Sequence, residues 1–256
     1  FKDVDPEFVL FWNNRNIRRK MPGDIILAYK TFVDSIPEEK RDSVLLLMHT
    51  DQVDDNGTDL PAVIKELCPY PVKFTNAKFS DEEMNLLYNL VDVTINLASN
   101  EGFGLSAAES LMCGTPIINN VTGGLQDHCG FIDEDGRLVM ENHFSSEWGS
   151  NHDGRYKNCG VWAKPVFPAC RSLQGSPPTP YIFDDRACWE DTSTKIKEWY
   201  DTPAEERTAA GLAGRDYVMD PKVGMSAKEM CRRVVKDINR TFEKWESRKR
   251  FTLYKV

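Results

Sequence analysis

The chain has 256 residues, 41% of them hydrophobic and 28% charged, a composition that fits a soluble globular protein of one or two domains. Its formal net charge of -8 argues against a nucleic-acid binder, which needs a dominant basic surface. No run approaches the ~18 consecutive apolar residues of a membrane-spanning helix, and no charged-then-apolar leader opens the chain, so a cytoplasmic protein is expected. The seven cysteines, odd in number and without a Cys-x-x-Cys pair, read as reduced thiols rather than a disulfide framework. The first residue is Phe1 and a strand-like run follows within a dozen residues, so the chain is expected to be a fragment of a longer protein.

Phe8 to Trp12 is a continuous apolar run, followed by a basic turn and then Ile25, Ile26, Tyr29, Phe32, Val33 and Ile36 at helical spacing. The pattern predicts strand, loop and helix. It recurs as a strand at Val44 to Met48, a helix from Leu60 to Leu67 and a third strand at Val72 to Phe74. Ser80 and Glu83 form a capping-box pair, in which each side chain satisfies the other's free backbone N–H, opening a helix through Leu90. A strand at Val91 to Leu97, a helix to about Met112 and a strand at Thr115 to Ile118 complete the alternation. Such alternation predicts a Rossmann-like α/β fold, a parallel sheet with helices on both faces, in which ligands bind beyond the carboxyl ends of the strands.

From about Glu141 to Pro180 the periodicity fails, and residues 141–182 are read as an irregular insertion containing Trp148, Tyr156 and Trp162. Its tryptophans suit either a small satellite core or stacking on a sugar. Its Glu141, His143, His152, Asp153, Cys159 and Cys170 fit no compact zinc spacing, so no metal is expected. Residues 183–256 are predicted to be mainly helical, with further capping-box pairs at Thr202/Glu205 and Ser226/Glu229. The last helix carries Met230, Val234, Ile238 and Trp245 on one stripe that needs a partner. The whole chain is taken as one domain: an α/β core at 6–140, the insertion, and the C-terminal helices. The basic run Arg248-Lys249-Arg250 suits either a solvated helix end or an anionic membrane surface.

The segment Glu101-Gly102-Phe103-Gly104-Leu105-Ser106-Ala107-Ala108-Glu109 carries the chemistry. Its glycines allow close backbone approach or positive φ, and the helix after it offers unpaired N–H groups to phosphate. A carboxylate accepts hydrogen bonds from two hydroxyls at once, which suits the vicinal diols of a ribose or hexose. On this segment alone, a capping pair of Ser106 with Glu109 and a solvated Glu101 would read equally simply.

The context extends the pattern through Cys113-Gly114-Thr115-Pro116 into a strand and then Thr122-Gly123-Gly124. Together these resemble the retaining family 4 glycosyltransferases of the GT-B fold, in particular their C-terminal donor-binding half. The resemblance covers residues 6–140. It implies that Arg15 and Lys20, at the family's spacing after the first strand, meet the donor diphosphate as catalytic groups with Glu101, which would hold the transferred sugar. Met21 follows that lysine where many members have glycine. By the same resemblance Glu109 holds the nucleotide ribose, the backbone of Gly102, Phe103, Gly104 and Leu105 the sugar and phosphates, and the loop from Thr75 to Lys78 lies near the base; Thr50 faces the same rim by its place after the second strand.

The resemblance implies hexosyl transfer with retention from a UDP- or GDP-linked sugar to an unknown acceptor, without a metal or other cofactor. The N-terminal acceptor domain of that fold is expected to be missing here, leaving the fragment inactive alone and its last helix free to pair with that domain or to form a homodimer. Two alternatives remain: a sugar-nucleotide epimerase half, which needs acid/base groups beside the sugar that the sequence near Glu101 does not offer, and a non-catalytic sugar-nucleotide-binding module.

Overall fold

A computed structural model describes residues 6–248. Six parallel strands form one sheet in the order β3-β2-β1-β4-β5-β6, where β1 is Phe8–Asn13, β2 Val44–His49, β3 Val72–Thr75, β4 Val93–Asn96, β5 Ile117–Asn120 and β6 Ala163–Val166. β1 and β2 pair in register from Phe8 with Val44 to Asn13 with His49. Helices α1 (Pro22–Asp34), α2 (Leu60–Leu67), α3 (Asp81–Leu90) and α4 (Leu105–Met112) connect the first five strands, and the short α5 (Gly123–His128) follows β5.

The unbroken apolar run of β1 follows from its central place. Phe8, Leu10 and Trp12 pack with α1 on one face, while Val9 and Phe11 pack with Tyr88 of α3 on the other. Both faces are dry, so alternation of apolar and polar residues has no use there. The Ser80/Glu83 box at the start of α3 forms in both directions, with Ser80 N–H donating to the Glu83 carboxylate at 2.8 Å and Glu83 N–H to Ser80 Oγ at 3.3 Å.

The stretch read as irregular needs correction. Within it β6 is the sixth strand of the main sheet, and β7 (Pro168–Ser176) pairs antiparallel with β8 (Thr179–Ala187) as a hairpin whose second strand runs past residue 182 into the segment expected to be helical. β6 is short and interrupted by Pro165, and the hairpin is polar and mostly exposed, so neither shows the apolar periodicity by which strands are read. Trp162 stacks on Tyr217 with ring centroids 4.7 Å apart and belongs to a second core with Leu111, Ile117 and Phe131. Trp148 lies against Phe144, centroid to centroid 4.5 Å.

Helices α6 (Trp189–Tyr200), α7 (Ala204–Met219) and α8 (Ala227–Lys244) close the chain. The Thr202/Glu205 box does not form, because Pro203 holds the N-cap position and the Thr202 hydroxyl donates to Glu198 carbonyl within the preceding turn. Ser226 does cap α8 by accepting from Glu229 N–H, but the Glu229 carboxylate bonds Arg232 and Arg233 instead of returning to the cap. The stripe of α8 is exposed along Met230, Val234, Val235, Ile238, Phe242 and Trp245. Lys249 and Arg250 of the basic run lie outside the described residues. No helix among the described residues is long and apolar enough to cross a membrane.

Candidate functional site

The loops after β1, β2, β3, β4 and β5 meet at the carboxyl rim of the sheet, where they are fastened to one another by buried polar groups. Asn16, fully buried, donates its amide to the carbonyls of Asp51, Gln52 and Thr58, which ties the loop after β1 to the loop after β2. A single 3-10 turn, Arg18–Lys20, follows. Met21 closes it at φ 52 and ψ 43, the left-handed conformation that glycine adopts without strain, so the turn keeps that shape at a cost of about 1 kcal/mol. The Arg19 carbonyl then accepts from Ser99 N–H at 2.8 Å, docking the turn on the loop after β4.

That contact assembles a charge cluster. The Lys20 ammonium and, at 3.2 Å, the Arg19 guanidinium both donate to Oε2 of Glu101. Lys20 is 8% exposed. Burial works to raise the Glu101 carboxyl, but the Lys20 and Arg19 charges outweigh it and hold Glu101 below the ordinary carboxylate range. Burial pushes the Lys20 ammonium down, with Glu101 opposing the shift. Oε1 of Glu101 has no hydrogen-bond donor among the described residues, so one face of the carboxylate stays open.

The glycines of the loop act through space rather than flexibility alone. Gly104 sits at φ +89, and a Cβ there would meet Leu125 at 2.5 Å. Gly124 lets the turn after β5 close on this loop: its N–H donates to the Glu101 carbonyl at 3.0 Å, and a Cβ on it would fall 2.5 Å from the Gly102 carbonyl oxygen. α4 starts at Leu105 with Gly104 as its N-cap and no side-chain cap. The capping pair of Ser106 with Glu109 is therefore absent. Ser106 Oγ instead accepts from the Asn96 amide at 3.2 Å, and Glu109 accepts from the Tyr88 hydroxyl at 2.9 Å. Tyr88 in turn accepts from the Asn13 amide at 2.8 Å, a chain that fixes Glu109 on the rim although the residue is exposed.

Arg15 stands apart from the cluster. Its side chain is exposed and donates from Nε to Asp54 at 2.8 Å. Thr50 and Thr75 share the neighbouring edge, where Thr50 N–H donates to the Thr75 carbonyl at 3.0 Å. Thr50 Oγ1 is buried without a partner among the described residues, while Thr75 Oγ1 lies 2.6 Å from Nδ1 of His49. The His49 ring stacks on Phe79 at 5.3 Å, giving a flat aromatic surface beside both threonines. Phe103 and Leu105 present exposed side chains and line a cavity of about 600 Å³ with Met140, Phe144 and Met230, on the side of Glu109 and not of Lys20.

Residues that sequence reading missed here are Tyr88, Phe79 and Asp184. Asp184, at the root of the β7–β8 hairpin, accepts from Ser99 Oγ at 3.0 Å and the Asn100 amide at 2.6 Å and so braces the segment leading to Glu101. Nothing local in the sequence marks it, because it lies 83 positions beyond Glu101.

Among the described residues no three His, Cys, Asp or Glu side chains gather as metal ligands. His143, one of the residues considered for that role, lies 3.1 Å from Asp133. All seven cysteines are free.

The architecture is the α/β, GT-B-like fold, with a basic and carboxylate-bearing rim at the carboxyl ends of its strands. Residues 65–142 match the family described as Glycosyl transferases group 1. A segment of 63 residues is 35% identical to a D-inositol 3-phosphate glycosyltransferase of Thermomonospora curvata, covering 25% of this chain and 14% of that protein's length.

Two solved structures share the fold. The C-terminal domain of a glycosyl transferase group 1 family protein from Francisella tularensis aligns with a TM-score of 0.53 at 13% identity, over 85% of this chain and 87% of that one. Anabaena HepE, solved in complex with UDP and glucose, aligns with a TM-score of 0.59 at 12% identity, over 92% of this chain and 49% of that one. The family match and the relative thus concern part of the chain, and the solved structures share its fold.

Proposed function

We propose that this chain binds a nucleotide-diphosphate sugar on the rim described above and forms the donor half of a retaining family 4 hexosyltransferase. The observation that carries the reading is the cluster of Lys20 and Arg19 on a single oxygen of Glu101, beside the uncapped start of α4. Two cations close to a helix N-terminus favour an anion of higher charge than one carboxylate.

In this reading Lys20 turns part of its three-donor ammonium to the diphosphate, and the exposed Arg15 exchanges Asp54 for the same anion. Charge-assisted hydrogen bonds of this kind contribute about 1.5–3 kcal/mol each. As the glycosidic bond to the sugar breaks, negative charge grows on the leaving diphosphate, and fixed cations stabilise it without a metal. Glu101 uses its open oxygen for sugar hydroxyls, Glu109 takes the ribose diol, and Thr50 and Thr75 border the donor beside the His49–Phe79 surface.

The acceptor comes from an N-terminal domain that completes the cleft, in a soluble cytoplasmic enzyme, and these residues alone do not turn over. The epimerase alternative gains no support from the one imidazole near Glu101: His128 is fully buried, with Nε2 engaged at 2.6 Å by the Phe103 carbonyl.

Calorimetric titration of the chain with UDP-glucose and GDP-glucose tests the reading. One of the two is expected to bind, and Glu109→Ala is expected to weaken it by roughly tenfold through loss of the ribose contact. Failure of both sugars to bind would refute it.

A further inference from the structure

The short helix α5 ends in a histidine that no part of the donor reading uses. His128 is fully buried, and its Nε2 lies 2.6 Å from the carbonyl oxygen of Phe103, inside the segment between Glu101 and α4. A carbonyl can only accept, so Nε2 carries the proton and donates. Nδ1 is then a bare acceptor, buried with no partner among the described residues. The ring sits edge-on to that of Phe103 at 5.0 Å. Burial holds the imidazole neutral, its pKa lowered to about 4.

The backbone bearing it is anchored from the other side. Trp162 Nε1 donates to the His128 carbonyl at 2.9 Å, and the Tyr217 hydroxyl donates to the adjacent Asp127 carbonyl at 2.7 Å. Those two aromatic rings stack on each other. The imidazole thus reaches the loop from a rigid support in the second core.

A trans peptide points its C=O and N–H in opposite directions. With the Phe103 carbonyl held on the His128 side, the Gly104 N–H faces the other way. The N–H groups of Gly102, Phe103 and Gly104 have no acceptor among the described residues, and of the three residues Gly104 is the buried one, where an unpaired N–H is costly. A leucine would fill the His128 site without leaving a buried nitrogen unpaired, so packing alone does not call for an imidazole.

We propose that His128 is a positioning residue of the donor site: by holding the Phe103 carbonyl it orients the Gly104 N–H and the first turn of α4 toward the diphosphate of the bound sugar nucleotide. The proposal rests on the donor-binding reading for its ligand, but its geometry can be examined without one.

The test uses the 256-residue chain as wild type, His128→Leu and His128→Gln. Glutamine places an amide N–H at nearly the reach of Nε2; leucine fills the volume without a donor. Long-range proton–nitrogen NMR of the wild type is expected to show the Nε2–H tautomer at neutral pH. The Gly104 amide resonance is expected to move in His128→Leu and to return toward the wild-type position in His128→Gln.

In calorimetry with UDP-glucose and GDP-glucose, His128→Leu is expected to bind about tenfold more weakly and His128→Gln within about threefold of wild type, while affinity for the nucleosides uridine and guanosine is unchanged. An Nδ1–H tautomer, equal binding by the leucine variant, or a loss shared equally by the nucleosides would overturn the proposal. Absence of sugar-nucleotide binding by the wild type would remove the donor reading on its own. A Gly104 amide that ignores both substitutions would remove the positioning role independently.

Discussion

Lys20 and Arg15 leave the same loop after β1, five positions apart, and meet different fates. Lys20 is nearly buried and shares Glu101 with Arg19, whereas Arg15 is exposed on Asp54. In sequence they look equivalent, two cations at a family spacing. The difference is made between them, by the Arg18–Lys20 turn and the left-handed Met21, which direct the lysine under the loop after β4. A buried cation is held in place before ligand arrives; an exposed one must be recruited, and pays side-chain entropy when it is.

The sharpest way to break this contrast is Lys20→Met, which leaves the Glu101 carboxylate with Arg19 alone. Affinity for the sugar nucleotide in calorimetry is expected to fall by ~30-fold, the size of one charge-assisted contact plus a displaced Glu101. Arg15→Ala is expected to cost only roughly threefold in the same titration and to leave the melting temperature unchanged, since exposed ion pairs contribute little to stability. Equal losses in the two variants would mean that the buried and the exposed cation contribute alike.

The smallest expected effect is in acid stability. The folded Glu101 titrates below its ordinary value of 4.5, so the unfolded chain binds the proton first as pH falls. The stabilisation from its ionised form is thus present above pH 4.5 and is lost as pH drops through the lowered folded value. Denaturation midpoints measured between neutral pH and pH 3 should therefore fall less steeply in Lys20→Met than in wild type; Arg15→Ala flattens the fall too, because Arg15 holds the Asp54 carboxyl low, but by less, since the Arg15 side chain is exposed.

The same contrast separates what was readable along the chain from what was not. β1, β2, β3, α2 and α3 were legible because each carries its own signal: an unbroken apolar run, a 3.6-residue period or a reciprocal cap. β6 and the β7–β8 hairpin were not, being short or polar and stabilised by distant partners. β6 gains its place from β5, and the hairpin's root from Ser99 and Asn100 through Asp184. The capping pair at Thr202 failed for a related reason, since a proline took the cap position and the hydroxyl found a carbonyl in the helix before it.

For the candidate site, sequence alone determined the residue types and their order: Glu101, Gly104 and Glu109 around a helix start, basic residues after the first strand, and Gly123-Gly124 after the fifth. Local chemistry suffices for that, because a helix start with glycines and no apolar periodicity has few structural uses. Which groups touch was decided only by the tertiary structure. Glu109 is held by Tyr88, Glu101 by Lys20 and Arg19 rather than Arg15, and the Phe103 carbonyl by a histidine 25 residues away. Those pairings arise where parallel strands end side by side, and loops far apart in sequence become neighbours only once the sheet has formed its order.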